Sequence, residues 1–292
     1  MKIKRTAGER IFEVLNLFFL TLVIVVTLYP FLHVLFASLS NPNLLSAHTG
    51  ILTHPLGFSL DAYQAVLENP DIYTGYGNTL FLVVVGTVCS MVITILSAYV
   101  LSRRGYALRR AFNFIATFTM FFSGGLIPFY LQVKSLGLLD TRWSLIFPTM
   151  MSTYNLIVLR TSFSSIPSSL EEAARIDGAN DFLILLRVIL PLSGASIAVM
   201  VLFYGVGYWN AWFYSMVFLR DRALYPLQLI LREILIMASA DTMVDMDIND
   251  RAIVSQTIKY ATIIVSTVPV LLIYPFLQKY FVQGMMIGAV KE

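Results

Sequence analysis

Charge is scarce in this sequence. Asp, Glu, Lys and Arg make up 13% of its 292 residues, against about a quarter in a soluble globular domain. That deficit excludes an ordinary water-soluble fold and places the chain in a bilayer, in keeping with 58% hydrophobic residues and a mean hydropathy of +0.76. Cysteine is nearly missing. Cys89 stands alone, so no disulfide within the chain is possible and no zinc-type spacing exists. His33, His48 and His54 form no HExxH pattern, and no metal site is expected. No glycine is followed directly by lysine, which rules out the GxxxxGK[ST] phosphate loop. The net charge of +3 is small, and no nucleic-acid partner is expected.

What the sequence does have is long apolar runs. A spanning helix needs about 20 mainly apolar residues, and six candidates stand at 12–37, 77–101, 111–133, 143–162, 184–212 and 260–281. Membrane barrels alternate polar and apolar residues in short segments. These unbroken runs do not, so the expected fold is all-α, a polytopic membrane bundle of six transmembrane helices. The run from Ile11 to Ala37 is longer than the roughly 7–15 residues of a signal-peptide core and reads as a retained anchor. Lys2, Lys4, Arg5 and Arg10 precede it, the connection 38–76 has neither Lys nor Arg, and "SRRGYALRR" carries Arg103, Arg104, Arg109 and Arg110. That alternation places both termini in the cytoplasm.

Away from their ends the six spans are essentially free of Asp, Glu, Lys and Arg. An ion-coupled carrier usually keeps such groups near the midplane, and an intramembrane hydrolase needs them for acid–base chemistry. Neither is expected, and no catalytic residue is assigned. If the chain takes part in active transport, the energy comes from another subunit. The connection 213–259 is long, with Leu227, Ile230, Leu231 and Ile234 at helical spacing. It reads either as a helix lying on the outer surface or as a contact for a partner or substrate.

One cytoplasmic stretch departs from the oily pattern. "SSLEEAARIDGANDF" (168–182) holds four carboxylates and one arginine. Pro167 suits the first turn of a helix or the turn before it. Ser168 with Glu171, or Ser169 with Glu172, has capping-box spacing, and Glu171 with Arg175 is an i,i+4 pair in the favoured order. Gly178 supplies a left-handed stop, Asn180 or Asp181 caps the next helix, and Pro191 bends that helix or frees a carbonyl. The reading is a short helix, a sharp turn and a long helix. Ala173 and Ala174 thin the short helix, which suits a cleft on another protein; a solvated loop helix is the plain alternative.

"EEAARIDGAN" followed by "ILP" resembles the EAA loop of binding-protein-dependent ABC transporter permeases. Glu172, Ala173, Ala174, Gly178 and Ile189-Leu190-Pro191 carry the resemblance, and Asp177-Gly178-Ala179 is similar to the carbohydrate, maltose-type branch. "IPFYLQVKSLGLLDTRWSLIFP" (127–148) and "YWNAWFYSMVFL" (208–219) resemble that branch as well, and the end "QGMMIGAVKE" resembles its second permease. The likeness covers nearly the whole chain. Where the family often has a proline a few residues after Leu-Pro, this chain has Gly194 and Ala195. Its long 213–259 insertion resembles permeases for oligosaccharides cut from polysaccharides, including acidic ones such as alginate or pectin fragments.

The resemblance implies a type I ABC importer permease fold in one transmembrane domain, 1–292. Within it lie a cytoplasmic coupling loop at 164–183, an external insertion at 213–259 and a cytoplasmic tail at 282–292. It implies a chain that is not itself an enzyme, set in a bacterial cytoplasmic membrane. Its partners would be a second permease (a heterodimer), two ATPase subunits that hold ATP and Mg, and an external solute-binding protein that delivers an oligosaccharide. This chain would bind no cofactor. Glu171, Glu172, Ala173, Ala174, Asp177 and Gly178 would dock on an ATPase, and Gly284 and Gly288 would let the tail turn between the ATPases.

Sugars present apolar ring faces and hydroxyls, which suit aromatic and amide side chains. Tyr130, Tyr154, Asn155, Tyr208, Trp209 and Asn210 are the pathway candidates, with an interfacial aromatic belt as the alternative reading. The competing function is a stand-alone channel or secondary carrier for a small polar solute.

Overall fold

The computed structural model describes residues 7–103, 105, 107–244, 257–272 and 275. Every named element among these residues is helical, and the one β-bridge, Ser40 with Phe58, is isolated. The helices are α1 (Ala7–Ser38), α2 (Pro42–Ala47), α3 (Asp61–Glu68), α4 (Pro70–Ser102), α5 (Arg109–Phe121), α6 (Leu126–Ser135) and α7 (Trp143–Ile146). They continue with α8 (Thr153–Ser164), α9 (Ser168–Ile176), α10 (Asp181–Leu192), α11 (Gly194–Trp209), α12 (Phe213–Phe218), α13 (Leu227–Val244) and α14 (Thr257–Leu272).

Two helices, α1 and α4, are each long and apolar enough to cross a membrane, and there are four such spans if each bent pair counts as one. The pairs are α5 with α6, bent by 119°, and α10 with α11, bent by 87°. The first bend falls at Gly125, whose φ of 84° is open to glycine at little cost. The second follows a π-helical turn, Leu185–Ile189, that leads into Pro191. Proline has no N–H to give and crowds the carbonyl four residues back, so the helix widens and then turns at Ser193. With Gly194 and Ala195 beyond it, the bend forms without a second proline.

The expected span 143–162 is broken in two. Pro148 lies in a 3-10 turn, Phe147–Thr149, and Ser152 opens α8 by accepting the Asn155 N–H on its side chain (3.4 Å). The expected span 260–281 is helical over Thr257–Leu272, and most of its remainder lies outside the described residues.

The chain divides into two compact units, Met1–Asn69 with Glu233–Thr267, and Pro70–Arg232 with Val268–Glu292. In the first, the apolar span of α1 is 0% buried. The segment after it is tied by Ser38 Oγ to the Tyr63 hydroxyl (2.7 Å) and by the Leu52 N–H donating to the Tyr29 hydroxyl (3.2 Å).

The second unit is built around α4, against which α8 and α11 pack. Its sequence shows why. Val84, Val88, Val92, Leu96 and Val100 recur every four residues and stay exposed, while Thr87, Ser90, Met91, Thr94 and Ala98 face inward and are buried. In a bilayer, lipid is as apolar as valine, so small and hydroxyl-bearing residues make the helix contacts. A π-helical stretch, Leu82–Gly86, sits in this helix, and a Cβ on Gly86 would lie 2.7–2.9 Å from ring carbons of Tyr208.

The first turn of α13 docks on the N-terminal half of α4. Leu227 and Ile230 are buried, the Leu227 N–H donates to Thr79 Oγ1 (2.9 Å), and a Cβ on Gly75 would lie 2.6 Å from Ile230 Cδ1. The helix expected from the 227–234 spacing is present, with Leu227, Ile230 and Leu231 buried and Ile234 partly buried.

Candidate functional site

Two regions carry most of the candidate residues: the short helix α9 and a cavity among α8, α11 and α12.

Helix α9 follows Pro167, whose ψ of 133° keeps it outside the helix, and no side chain caps its start. Neither expected capping box forms, because Pro167 is the N-cap and Ser168 and Ser169 both lie inside the helix; Glu171 is engaged elsewhere. It ion-pairs with Arg103, the residue that ends α4, and the two side chains are 13% and 18% exposed. The expected Glu171–Arg175 pair is therefore absent as well. Arg175 instead reaches Asp181 across the turn (2.6 Å). Arg103 also lies over the Tyr99 ring, 4.3 Å from its centre. Burial lowers the pKa of this guanidinium, with Tyr99 and Asp181 acting in the opposite sense, and an arginine stays charged throughout.

The helix ends in a Schellman motif. The Ala179 N–H donates to the Ala174 carbonyl (2.9 Å) and the Gly178 N–H to the Arg175 carbonyl (3.0 Å). Gly178 is the left-handed residue, with φ 83°. Ala174 and Ala179, the two ends of the first of these bonds, both pack against the core of the second unit. Asn180 then caps α10, accepting the Leu183 N–H (2.9 Å).

The helix thus has two faces. Glu171 and Ala174 turn inward. Ser169, Glu172, Ala173 and Ile176, at i, i+3, i+4 and i+7, are exposed, and Ile176 is 87% exposed. Asp177 and Gly178 are also exposed. The two alanines do not share a face, so Ala174 contributes to holding the helix on the bundle and Ala173 to the free surface. Beside α9 lies a cavity of about 930 Å³ lined by residues that include Tyr99, Arg103, Phe163, Glu172 and Asp181. The sequence reading missed Arg103, Ala179 and Ile176 as parts of this region. The i+5 spacing of Ala174 and Ala179 around Gly178 was a usable signal.

The second region is a cavity of about 840 Å³ whose lining includes Thr149, Ser152, Asn155, Tyr204, Tyr208 and Asn210. Its back wall is a ladder of hydroxyls. Tyr208 bonds Ser90 Oγ (2.9 Å) and Tyr204 bonds Thr94 Oγ1 (2.7 Å). The Tyr204 hydroxyl also accepts the Ser152 N–H (3.0 Å). Both pairs are spaced i,i+4, so two turns of α11 register on two turns of α4. Phe203, Phe213 and Tyr214 add aromatic faces. Asn210 ends α11, its side-chain amide donating to the Val206 carbonyl (3.0 Å).

Of the pathway candidates, Asn155, Tyr208 and Asn210 line this one cavity. The other three lie elsewhere. Trp209 is buried against Tyr76 and borders a separate apolar cavity of about 400 Å³. Tyr130 stacks on Phe218. Tyr154 is 54% exposed and tilted against Phe203. Gly284 and Gly288 lie outside the described residues. Among the described residues, no group of His, Cys, Asp and Glu is arranged to hold a metal.

A clasp closes the loop side of the unit. Asp140, at φ 57°, donates its N–H to the Phe218 carbonyl (2.9 Å). It also accepts the N–H groups of Arg220 (2.8 Å) and Asp221 (2.9 Å) on its carboxylate. Those two backbone donors hold the Asp140 pKa below its ordinary value. Asn78 donates to the carbonyls of Ala223 (2.8 Å) and Tyr225 (3.0 Å) and accepts Arg142 Nε (3.0 Å).

The sequence pattern of the binding-protein-dependent transport system inner membrane component matches residues 90–287, a stretch that contains α9 and the whole cavity. The chain belongs to this family. Its relatives include the polygalacturonan/rhamnogalacturonan transport system permease protein YtcP of Bacillus subtilis (strain 168), 44% identical over 287 residues, covering 97% of this chain and 99% of the relative. Protein LplC of the same strain is 41% identical, with 98% and 97% covered. Among solved structures, a chain of a bacterial ABC transporter involved in the import of the acidic polysaccharide alginate superposes with a TM-score of 0.86 at 35% identity, covering 96% of this chain and 100% of that one. This family membership makes the chain an ABC permease subunit, a transport component built as an all-α membrane bundle. The stretch in which the EAA-type resemblance was read lies within the matched residues and forms α9.

Proposed function

We propose that the chain is one of two distinct permeases of an ATP-driven importer that carries an acidic, uronate-containing oligosaccharide of pectin or alginate type across a bacterial cytoplasmic membrane. Two ATPase subunits, which hold ATP and Mg, dock beneath it, and an external binding protein delivers the sugar. The observation that carries this reading is the exposed face of α9. Ile176 is 87% exposed beside Glu172 and Ala173, on a helix fastened to the bundle from its other side. An isolated helix face of this kind, with a bare isoleucine among carboxylates, suits a cleft on a soluble subunit. In this reading the cavity lined by Asn155, Tyr204, Tyr208 and Asn210 is this chain's share of the sugar path, since hydroxyls and amides pair with sugar hydroxyls and the aromatic rings with sugar faces. The likeness to permeases for polygalacturonan and alginate favours an acidic substrate.

The test is co-purification of the tagged full chain from its native membrane. An ATPase and a second, non-identical permease are expected to travel with it. A chain that purifies alone and moves solute by itself would be a channel or carrier, and the proposal would fall.

A further inference from the structure

We infer that Arg103 is a positioning residue for energy coupling: through Glu171 it fastens the ATPase-facing helix to α4, which carries the back wall of the membrane cavity. The inference rests on the docking role proposed above for α9.

Three observations combine. First, α9 is held from within at its two ends by different means. Its last turn rests on Ala174 and Ala179, which pack against the core, while its first turn is held by the ion pair of Glu171 with Arg103. Second, Arg103 is committed to this contact. Its stem lies on the Tyr99 ring, and its Nε and Nη2 are enclosed with no hydrogen-bond partner among the described residues. Glu171 is the side chain in ion-pair contact with it, and Asp181 also favours its charge. Third, α4 is continuous from Pro70 to Ser102. The helix that ends beside Glu171 is the same one that presents Ser90 to Tyr208 and Thr94 to Tyr204. A push on α9 therefore reaches the cavity wall through one ion pair, one helix and two hydroxyl pairs.

Spatial continuity alone does not establish coupling, so the test must read coupling rather than fold. The chain is reconstituted with its second permease, the ATPases and the binding protein, and sugar moved per ATP hydrolysed is measured. In Arg103→Ala the ATPases are expected to stay attached through the outer face of α9 and to hydrolyse ATP, while sugar moved per ATP falls at least about tenfold, within the range typical of coupling energies. Arg103→Lys, which keeps the charge, retains more of the ratio than Arg103→Ala. The exchange Arg103→Glu with Glu171→Arg restores it above either single change.

An unchanged ratio in Arg103→Ala overturns the inference. If Arg103→Ala fails to assemble, the double exchange decides: recovery of both assembly and ratio supports the inference, and recovery of assembly with the ratio still lost overturns it. Failure of the underlying docking reading looks different, because the ATPases would then not co-purify even with the unaltered chain.

Discussion

Glu171 and Glu172 are adjacent in the sequence and point about 100° apart on one helix, one toward Arg103 and one toward solvent. Glu171 is paired with Arg103 and largely enclosed, and Glu172 is exposed beside Ala173. The two carboxylates are therefore expected to fail differently. Glu172→Lys and Ile176→Asp change only surface, so the fold should shift by no more than about 0.5 kcal/mol while ATPase attachment is lost. Glu171→Gln removes the ion-pair partner of a partly enclosed guanidinium. It should cost roughly 1–2 kcal/mol once solvent screening of this pair is allowed for, with the ATPases still bound. Thermal melts in detergent and pull-down of the ATPase separate the two classes. Equal loss of attachment in both would contradict the two-faced helix.

The Tyr208 ring lies against Gly86, leaving no room for a Cβ. Gly86→Ala should push the ring off its Ser90 bond and cost about 1–3 kcal/mol, as overpacking does. Transport should fall with it because the cavity wall moves. Tyr204→Phe removes the hydroxyl bonded to Thr94 and to the Ser152 N–H. Intramembrane hydrogen bonds are worth about 0.6 kcal/mol each on average, so this change should lower stability only slightly while weakening sugar-dependent activity more. Normal transport in both variants would remove this cavity from the pathway.

Asp140 sets a pH dependence on the loop side of the second unit. The Asp221 and Arg220 backbone N–H groups lower its pKa in the folded chain, so its contribution is present above the unfolded value of about 3.9. It is lost as pH falls through the lower, folded value. Melting temperature should thus decline with acid in the wild type below about pH 4. In Asp140→Asn, whose amide oxygen still accepts but does not titrate, this part of the decline should vanish. Identical acid profiles would show that the clasp carries no such linkage.

Much of this was legible in the sequence, for physical reasons. Apolar runs of spanning length, glycine at a left-handed stop and a cap residue before α10 are local properties, and they gave the bundle, the Gly178 turn and the Asn180 cap. The errors came from contacts between distant segments. The Glu171–Arg175 pair was locally sound and lost to Arg103, which arrives from another helix, whereas the capping box failed because Pro167, not a serine, is the N-cap. The span at 143–162 was read as continuous because its apolarity is continuous, whereas Pro148 and Ser152 divide it. Ala173 and Ala174 read as one thin face, although consecutive helical residues point about 100° apart. Half of the pathway candidates shared one cavity because aromatic content does not say which way a ring turns. Tyr204, absent from those candidates, was marked by its four-residue spacing from Tyr208.

The central claim is that ATP hydrolysis by partner subunits drives sugar through this chain by way of α9. ATPase activity of the reconstituted complex, with and without binding protein loaded with oligogalacturonate, tests it most directly. The account predicts that loaded binding protein raises hydrolysis, that sugar accumulates only when ATP is present, and that Gly178→Lys, forced into a left-handed backbone at φ 83°, abolishes both while the chain stays in the membrane. Sugar uptake by vesicles that hold this chain without ATPases, or normal sugar-stimulated hydrolysis in Gly178→Lys, would contradict it.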